Sequence, residues 1–265
     1  SHTRLRHFRV APLGLAAGEV PLHWIGDRAP ALATPCTWGV PFARGEVKKA
    51  GEYTVPGVLT QARPLALWPD GSVKWAAYTA VLPAGTTPLL VRTKYKTASV
   101  GSKQSDLVVH CGSETTFWDS LTVEGRKVAG ACRLVASTAT QQGTVTQHRT
   151  FSSRVDRVRV ERDGPVEQVI KICGTMEGWM PFVARAYYYK GSRWLRLVLS
   201  HIYDGDPARD CISSLGLQVE VPLVGELYNR HVAFGDTDGH VWAESVQPLV
   251  GRRALQPERQ FAQVA

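Results

Sequence analysis

The amino-acid sequence predicts an all-β protein, and three observations support this fold class. Short runs of Val, Thr, Tyr and Leu alternate with clusters of Gly, Pro, Asp and Asn, which is typical of strands joined by turns. The 265 residues include 24 glycines and 16 prolines, enough for many turns. Apolar residues rarely recur at helical spacing. We therefore expect a small β-barrel over residues 1–100, followed by a large antiparallel β-sandwich over residues 101–265.

The first hundred residues contain the predicted barrel strands, at residues 5–12, 19–25, 61–67, 73–82 and 89–95. Residues 35–42 contain two prolines and a glycine, which predict an irregular extended segment. Residues 69–71, Pro-Asp-Gly, predict a hairpin turn, because Pro fixes φ and Gly accepts the left-handed conformation. Trp68 and Trp75 flank this turn, and we interpret them as core or interdomain residues, with sugar stacking as the alternative.

The sandwich is predicted to begin after residues 97–106, whose small and polar side chains indicate a linker. Its strands are predicted at residues 107–111, 127–137, 144–151, 153–162, 166–177, 182–189, 193–203, 215–223, 230–234 and 240–245. Strands of this length with regular turns favour a large antiparallel sandwich. After Gly251 the pattern is lost, and we expect further protein to follow.

The hairpin at residues 182–203 is the central element of the predicted sandwich. Residues 190–192 supply its turn, where Gly191 can take a positive φ. Strand parity places an apolar set on the core face: Ala184, Ala186, Tyr188, Leu195, Leu197 and Leu199. The opposite face carries Arg185, Tyr187, Tyr189, Trp194, Arg196 and Val198. Guanidinium groups beside aromatic rings suit sugars that carry carboxylates; the alternative is an exposed sheet face with cation–π pairs.

The net charge of +8 favours an anionic partner, such as nucleic acid, a membrane surface or an acidic polysaccharide. The basic residues are mostly scattered, and no nucleic-acid-binding motif occurs. No run of 18 apolar residues is present to span a membrane. We therefore expect an acidic polysaccharide as partner, and neither nucleic acid nor membrane. The sequence begins without an apolar signal segment. We expect a secreted or periplasmic protein whose signal peptide is not part of this sequence.

The sequence predicts no cofactor. Its five cysteines lie far apart without a C-x-x-C pair, which argues against a zinc ribbon or redox motif and leaves buried thiols or one disulfide as alternatives. The histidines lack zinc-ligand spacing. Two carboxylate clusters could bind Ca²⁺, although turn capping is the commoner role of such residues. They are Asp204, Asp206 and Asp210, and Asp236 with Asp238.

Four stretches resemble a known family. Residues 37–47, TWGVPFARGEV, and 59–82, LTQARPLALWPDGSVKWAAYTAVL, are similar to the amino-terminal small barrel of YetA-like, exo-rhamnogalacturonan-lyase-like proteins. Residues 161–174, ERDGPVEQVIKICG, and 187–223, YYYKGSRWLRLVLSHIYDGDPARDCISSLGLQVEVPL, resemble their central β-sandwich. The resemblance implies a polysaccharide lyase for a uronate-containing, rhamnogalacturonan-type chain, with an α/α toroid after the sandwich. Because this chain has no long amphipathic helices, we expect that a C-terminal toroid is missing and that at most half of a site is present.

β-Elimination from a uronate needs a cation beside the carboxylate, a base for the α-proton and an acid for the leaving oxygen. Arginines suit the first demand because a guanidinium binds a carboxylate bidentately. The candidate substrate-binding residues are Arg185, Tyr189, Trp194 and Arg196. The candidate catalytic acids and bases are Tyr187, His201 and Tyr203, with Tyr189 as a further phenol. Parity places His201 on the core face, where a hydrogen-bonded structural role is the alternative.

Two functions of another kind remain open on the sequence. One is a carbohydrate-binding module without turnover, and the other is a structural module that stabilises a catalytic partner domain. The preferred expectation is the β-domain portion of a polysaccharide lyase.

Overall fold

The computed structural model describes residues 8–10, 18–25, 28–93, 107–142, 145–206, 211–226, 230–235 and 241–245. These ranges form eighteen β-strands and one short 3-10 turn, Ala50–Glu52, with no α-helix among them, so the all-β prediction is confirmed. No helix in the same ranges is long and apolar enough to cross a bilayer. The chain divides into two compact units, residues 1–220 and residues 221–265.

Seven strands build the barrel part: β1 Phe8–Val10, β2 Glu19–Trp24, β3 Thr34–Pro41, β4 Tyr53–Thr54, β5 Thr60–Leu67, β6 Val73–Leu82 and β7 Leu89–Arg92. They form two sheets, ordered β1-β2-β7-β4 and β3-β6-β5. The apolar sides of both sheets enclose one core that includes Trp24, Trp38 and Tyr78. Inside it the Tyr78 hydroxyl donates to the Ala50 carbonyl at 2.9 Å, which satisfies the polar end of a buried ring.

Nine strands build the sandwich part: β8 Leu107–Cys111, β9 Trp118–Val123, β10 Arg126–Ala129, β11 Cys132–Gln142, β12 Val145–Asp163, β13 Glu167–Met176, β14 Trp179–Tyr189, β15 Leu195–His201 and β16 Cys211–Val219. The ladder runs β10-β9-β11-β12-β13-β14-β15, with β8 beside β9 and β16 beside β11. In the second unit β17, His231–Gly235, pairs antiparallel with β18, Val241–Ser245.

Strand β12 passes from one sheet of the sandwich to the other. Its residues 145–152 pair with β11, in what we call the first sheet together with β8, β9, β10 and β16. Its residues 153–163 pair with β13, and with β13, β14 and β15 they form the second sheet. Ser153 marks the change: its hydroxyl accepts from the Leu134 amide and donates to the Thr115 carbonyl. Two strands were predicted at residues 144–151 and 153–162; the structure has one.

The sandwich core lies between these two sheets. Cys132, Leu134 and Ala136 alternate along β11 and are almost fully buried, as a sheet with one covered face requires. From the second sheet, Phe182 and Ala184 of β14 pack into the same core, and the ring centroids of Phe117 and Phe182 lie 5.6 Å apart. This core is separate from the barrel core, so each part of the first unit buries its own apolar side chains.

Several sequence expectations need correction. Residues 35–42 were predicted to be irregular, but Thr34–Pro41 is a regular strand paired along its length with β6. It tolerates two prolines because it is the edge strand of its three-stranded sheet. The predicted strand 127–137 divides into β10 and β11, since Gly130 and Ala131 instead pair with Glu220. Strands β4 and β9 were not predicted at all.

The other boundaries vary in agreement. Strands β6 and β8 begin and end at the predicted residues. The predicted linker 97–106 lies outside the described residues, so the domain boundary at residue 100 stays a prediction.

Trp75 is 41% exposed, and its interpretation as a core residue is therefore wrong. Cys132, Cys173 and Cys211 are free thiols, and both Cys36 and Cys132 are buried.

Candidate functional site

The β14–β15 hairpin has the facing that strand parity predicts. Ala184 pairs with Leu199, and Ala186 with Leu197, on the core face. Tyr187 pairs with Arg196 on the outer face, where Arg196 is exposed. Gly191 in the turn takes a φ of 75°, as a tight hairpin requires. The guanidinium and aromatic side chains therefore do share one surface of the second sheet.

The side chains on that outer face already have partners within the protein. The Arg185 guanidinium binds Glu161 through two hydrogen bonds, 2.7 and 3.2 Å long. This pairing lowers the pKa of Glu161, because the hydrogen bond to Arg185 favours its ionised form. The Arg196 guanidinium lies 5.3 Å from the centre of the Tyr187 ring, a cation–π distance. The Trp194 indole donates to the Ala33 carbonyl at 3.0 Å.

Tyr189 does not belong to the open part of this surface. Its side chain is only 4% exposed, although parity places it on the same face as Tyr187. Burial raises the pKa of Tyr189 to about 12, so its phenol stays protonated at neutral pH and is unsuited to act as a base. The expectation that it offers a ring to an external sugar is therefore wrong.

The candidate acids and bases do not come together at one place. His201 pairs with Phe182 on the core face, whereas Tyr187 lies on the outer face of the same sheet. Five residues of β14 separate the two positions, about 16 Å at 3.3 Å per residue. One sugar cannot contact both side chains. Tyr203 lies beyond the end of β15, with 42% of its side chain exposed.

An open groove of about 700 Å³ lies at the end of the sandwich, between the two sheets. At this end the core face of β11 changes from apolar residues to Thr138 and Thr140, so that this side of the groove is polar. The residues that line it are Thr138, Thr140, Arg149, Phe151, Glu177, Trp179, Asp204, Gly205 and Asp206.

Aromatic rings form one wall of the groove. Phe151 and Trp179 meet edge to face with centroids 5.2 Å apart, and Trp179 meets Tyr203 in the same way at 6.4 Å. The Arg149 guanidinium lies 5.1 Å from the Phe151 ring. The indole N–H of Trp179 is buried and has no hydrogen-bond partner in the described part of the chain. Such an unsatisfied buried donor is uncommon in folded proteins.

Residues 177–180, which lie beside the acidic side of the groove formed by Glu177, Asp204 and Asp206, have a strained backbone. Positive φ angles of 51° and 97° occur at Glu177 and Gly178 in the turn between β13 and β14, and one of 47° occurs at Met180, the second residue of β14. Non-glycine residues in this conformation cost energy and cluster at functional sites. Hydrogen bonds fix the turn: Glu177 accepts from the Ser152 amide at 3.0 Å, and Asp204 accepts from the Met180 amide at 2.6 Å.

The groove combines the parts that carbohydrate recognition uses. Aromatic rings stack on sugar faces, carboxylates accept from hydroxyl groups, and a guanidinium can bind a uronate carboxylate bidentately. No group of three or more His, Cys, Asp or Glu side chains suited to a metal occurs among the described residues. Asp204 and Asp206, considered as calcium ligands, line the groove instead; Asp210, Asp236 and Asp238 lie outside the described residues.

Sequence reasoning singled out the two aspartates of this groove, and Tyr203 beside Trp179, but missed the other lining residues. Arg149 and Phe151 belong to β12, whereas Glu177 and Trp179 lie at the junction of β13 and β14, so no local pattern joins the two pairs. One signal was available: Trp179 directly follows a Glu-Gly turn, and an aromatic residue beside a turn at a sheet end often reaches a ligand surface.

A small barrel followed by an antiparallel sandwich defines a two-part, all-β class of protein. The N-terminal RIFT barrel domain of PcRGLX-like proteins matches residues 18–95, and the PcRGLX-like central beta sandwich domain matches residues 89–265. The chain belongs to the PcRGLX-like family, which is related to rhamnogalacturonan lyases. It is also similar to the uncharacterized protein YetA of Bacillus subtilis (strain 168), with 29% identity over 261 residues. That match covers 88% of this chain and 30% of the relative, so the chain spans about a third of that protein.

Proposed function

We propose that this chain is the substrate-binding β part of a polysaccharide lyase that cleaves an acidic, rhamnogalacturonan-type glycan by β-elimination. The observation that carries the proposal is the open groove at the end of the sandwich, where aromatic rings, carboxylates and one guanidinium meet. Membership of a family related to rhamnogalacturonan lyases supports the substrate class. A secreted or periplasmic location accords with a polymeric substrate of this kind.

Each part of the groove has a role in this proposal. Trp179 and Phe151 stack on sugar rings, and Arg149 binds the uronate carboxylate and offsets the charge that grows as the α-proton leaves. Tyr203, beside Trp179, donates a proton to the leaving oxygen as the carbon–oxygen bond breaks and the carbon–carbon double bond forms. The base that removes the α-proton belongs, in this proposal, to an α/α toroid that follows the sandwich in the longer protein.

A binding titration tests the groove. We expect the chain to bind rhamnogalacturonan oligosaccharides, and Trp179→Ala to weaken that binding at least tenfold, since stacking on one ring contributes about 1.4 kcal/mol or more. Trp68→Ala removes a half-buried tryptophan from the barrel and serves as the matched control, with affinity expected to change less than about twofold. Absent binding, or equal binding by the Trp179 variant, would contradict the proposal.

An accessory carbohydrate-binding role is the second candidate, favoured by the separation of Tyr187 and His201 on opposite faces of a sheet. Near-ultraviolet absorbance from unsaturated uronate decides between the two. The longer protein that contains this chain should release unsaturated product, and its Trp179→Ala variant should do so more slowly. Binding by the longer protein without any rise in absorbance would assign the accessory role and refute the lyase.

A further inference from the structure

The barrel covers one end of the outer face of the second sheet. Gln61 of β5 accepts hydrogen bonds from the Val166 and Glu167 amides at 3.0 and 2.8 Å. A Cβ on Gly164 would lie 2.1 Å from the Gln61 side chain, so a larger residue here would displace the Gln61 amide from these hydrogen bonds. Glu167 and Val169 are 1% and 0% exposed on that face. The barrel therefore covers the outer face of the second sheet near Glu167 and Val169, and the rest of that face is exposed to solvent.

The open part of this face is densely cationic. The register places Arg159, Lys171 and Arg185 side by side on three neighbouring strands, about 4.8 Å apart. A second row, nearer the barrel, runs from Arg162 through Val169 and Tyr187 to Arg196. We call this surface, together with Arg63 of the barrel, the basic face. Its cations are Arg63, Arg157, Arg159, Arg162, Lys171, Arg185 and Arg196.

Carboxylates on the basic face are too few to balance these cations. Among the described residues it carries two, Glu161 and Glu167, against seven cations. Glu161 binds Arg185, and the buried Glu167 binds Arg162. At the margins Asp156 lies 4.0 Å from Arg154, and Asp163 binds Lys190. The excess positive charge is therefore not neutralised by other described side chains.

Arg63 shows the resulting repulsion most clearly. It lies on β5 opposite Ala77, close enough to Arg162 and Glu167 to feel their charges, and its Nε is buried with no hydrogen-bond partner in the described residues. Burial and the nearby positive charge of Arg162 both lower the pKa of this guanidinium. An anion beside Arg63 and Arg162 would relieve this repulsion.

We propose that the basic face is a second glycan-binding surface, which holds a carboxylate-bearing polysaccharide across the strands, on the opposite side of the second sheet from the groove. An exposed aromatic ring borders it: Trp194, two residues before Arg196, is 47% exposed. Flat rings beside guanidinium groups suit sugars with carboxylates better than a phosphate backbone alone. The ligand class rests on the proposed function, but the surface does not depend on the groove.

A titration with polygalacturonate oligomers tests the basic face. In the double variant Arg159→Gln/Arg196→Gln both changed side chains are exposed, so the fold should survive. We expect its affinity to fall at least tenfold at low salt, with a weaker salt dependence than the unmodified chain, because exposed charges are screened. Oligomers whose carboxylates are methyl-esterified should bind at least tenfold more weakly than the free acid.

The matched control is Arg126→Gln/Lys127→Gln, which removes the same charge from exposed positions of β10 in the first sheet. An equal loss of affinity in both double variants would show that only net charge matters and would overturn the proposal. Equal affinity for the esterified and the free-acid oligomers would overturn it as well. Tighter binding of a single-stranded oligonucleotide than of polygalacturonate would assign the face to nucleic acid instead. Introduced into the Trp179→Ala background, the Arg159→Gln/Arg196→Gln change should remove the polygalacturonate binding that remains, so a failed groove and a failed basic face give different results.

Discussion

At the residue scale, His201 contains a buried polar atom that lacks a partner. Its Nδ1 is shielded from solvent and finds no hydrogen-bond partner in the described ranges. Burial lowers the pKa of His201 below its ordinary value, because the charged imidazolium loses hydration inside the sandwich. His201 therefore remains neutral in the folded protein to a lower pH than in the unfolded chain.

This difference makes stability depend on pH in a defined direction. The unfolded chain takes up the His201 proton near pH 6.5, while the folded protein resists it. The stability that depends on neutral His201 is complete above about pH 7 and is lost as the pH falls below about 6.5. We expect the melting temperature to drop between pH 7 and pH 5.5, and the drop to be smaller in His201→Gln. Exposed His110→Gln is the control and should leave the drop unchanged; equal drops in all three proteins would argue against this role.

Single residues also show where sequence reasoning succeeds and fails. Arg185, Tyr187 and Arg196 share a face as predicted, because strand parity and the glycine turn are local properties. Tyr189 was placed on the same open face, but it is buried, in the row beside Glu167, where the barrel packs. Its burial depends on a contact between residues more than one hundred positions apart, which no local pattern contains.

At the element scale, β13 depends on one glycine. A Cβ on Gly174 would lie 2.0 Å from the Arg154 carbonyl oxygen and 2.8 Å from the Phe182 ring. The first contact is with backbone, which cannot move aside as a flexible side chain can. Gly174 lies at an irregularity in the register with β14, where the strand bends into the core.

A matched pair of glycine substitutions tests this packing. We expect Gly174→Ala to lower the free energy of unfolding by at least about 2 kcal/mol, because overpacking displaces backbone. Gly216 of β16 has no atom within 4 Å of its added Cβ, so Gly216→Ala should change stability by less than about 1 kcal/mol. Urea unfolding followed by tryptophan fluorescence measures both. Similar stabilities of the two variants would show that the close approach at Gly174 is absent.

The strands themselves were largely predictable, and the sheets were not. Residues 73–82 and 107–111 carry enough alternation and β-branched residues to define β6 and β8. A break was predicted at residue 152, but the continuation of one strand, β12, from one sheet into the other was not, because only tertiary packing determines it. The groove was mostly missed for a similar reason, since its walls come from β11, β12 and two separate turns.

At the scale of the whole molecule, the first compact unit joins two cores through one polar junction. Gln61 of the barrel satisfies backbone amides of the sandwich, and Trp194 of the sandwich reaches the barrel at Ala33. The second sheet is thereby left with two usable surfaces. Its core side ends at the groove, and its outer side carries the basic face. Both surfaces suit a long, charged polysaccharide better than a small ligand.

Amide hydrogen exchange, measured with and without a saturating acidic oligosaccharide, shows whether the groove binds glycan. We expect slower exchange in residues 177–180 and in residues 203–206 when the oligosaccharide is bound, and we expect Trp179→Ala to abolish this protection. Binding that leaves the exchange of both segments unchanged would show that the glycan binds elsewhere.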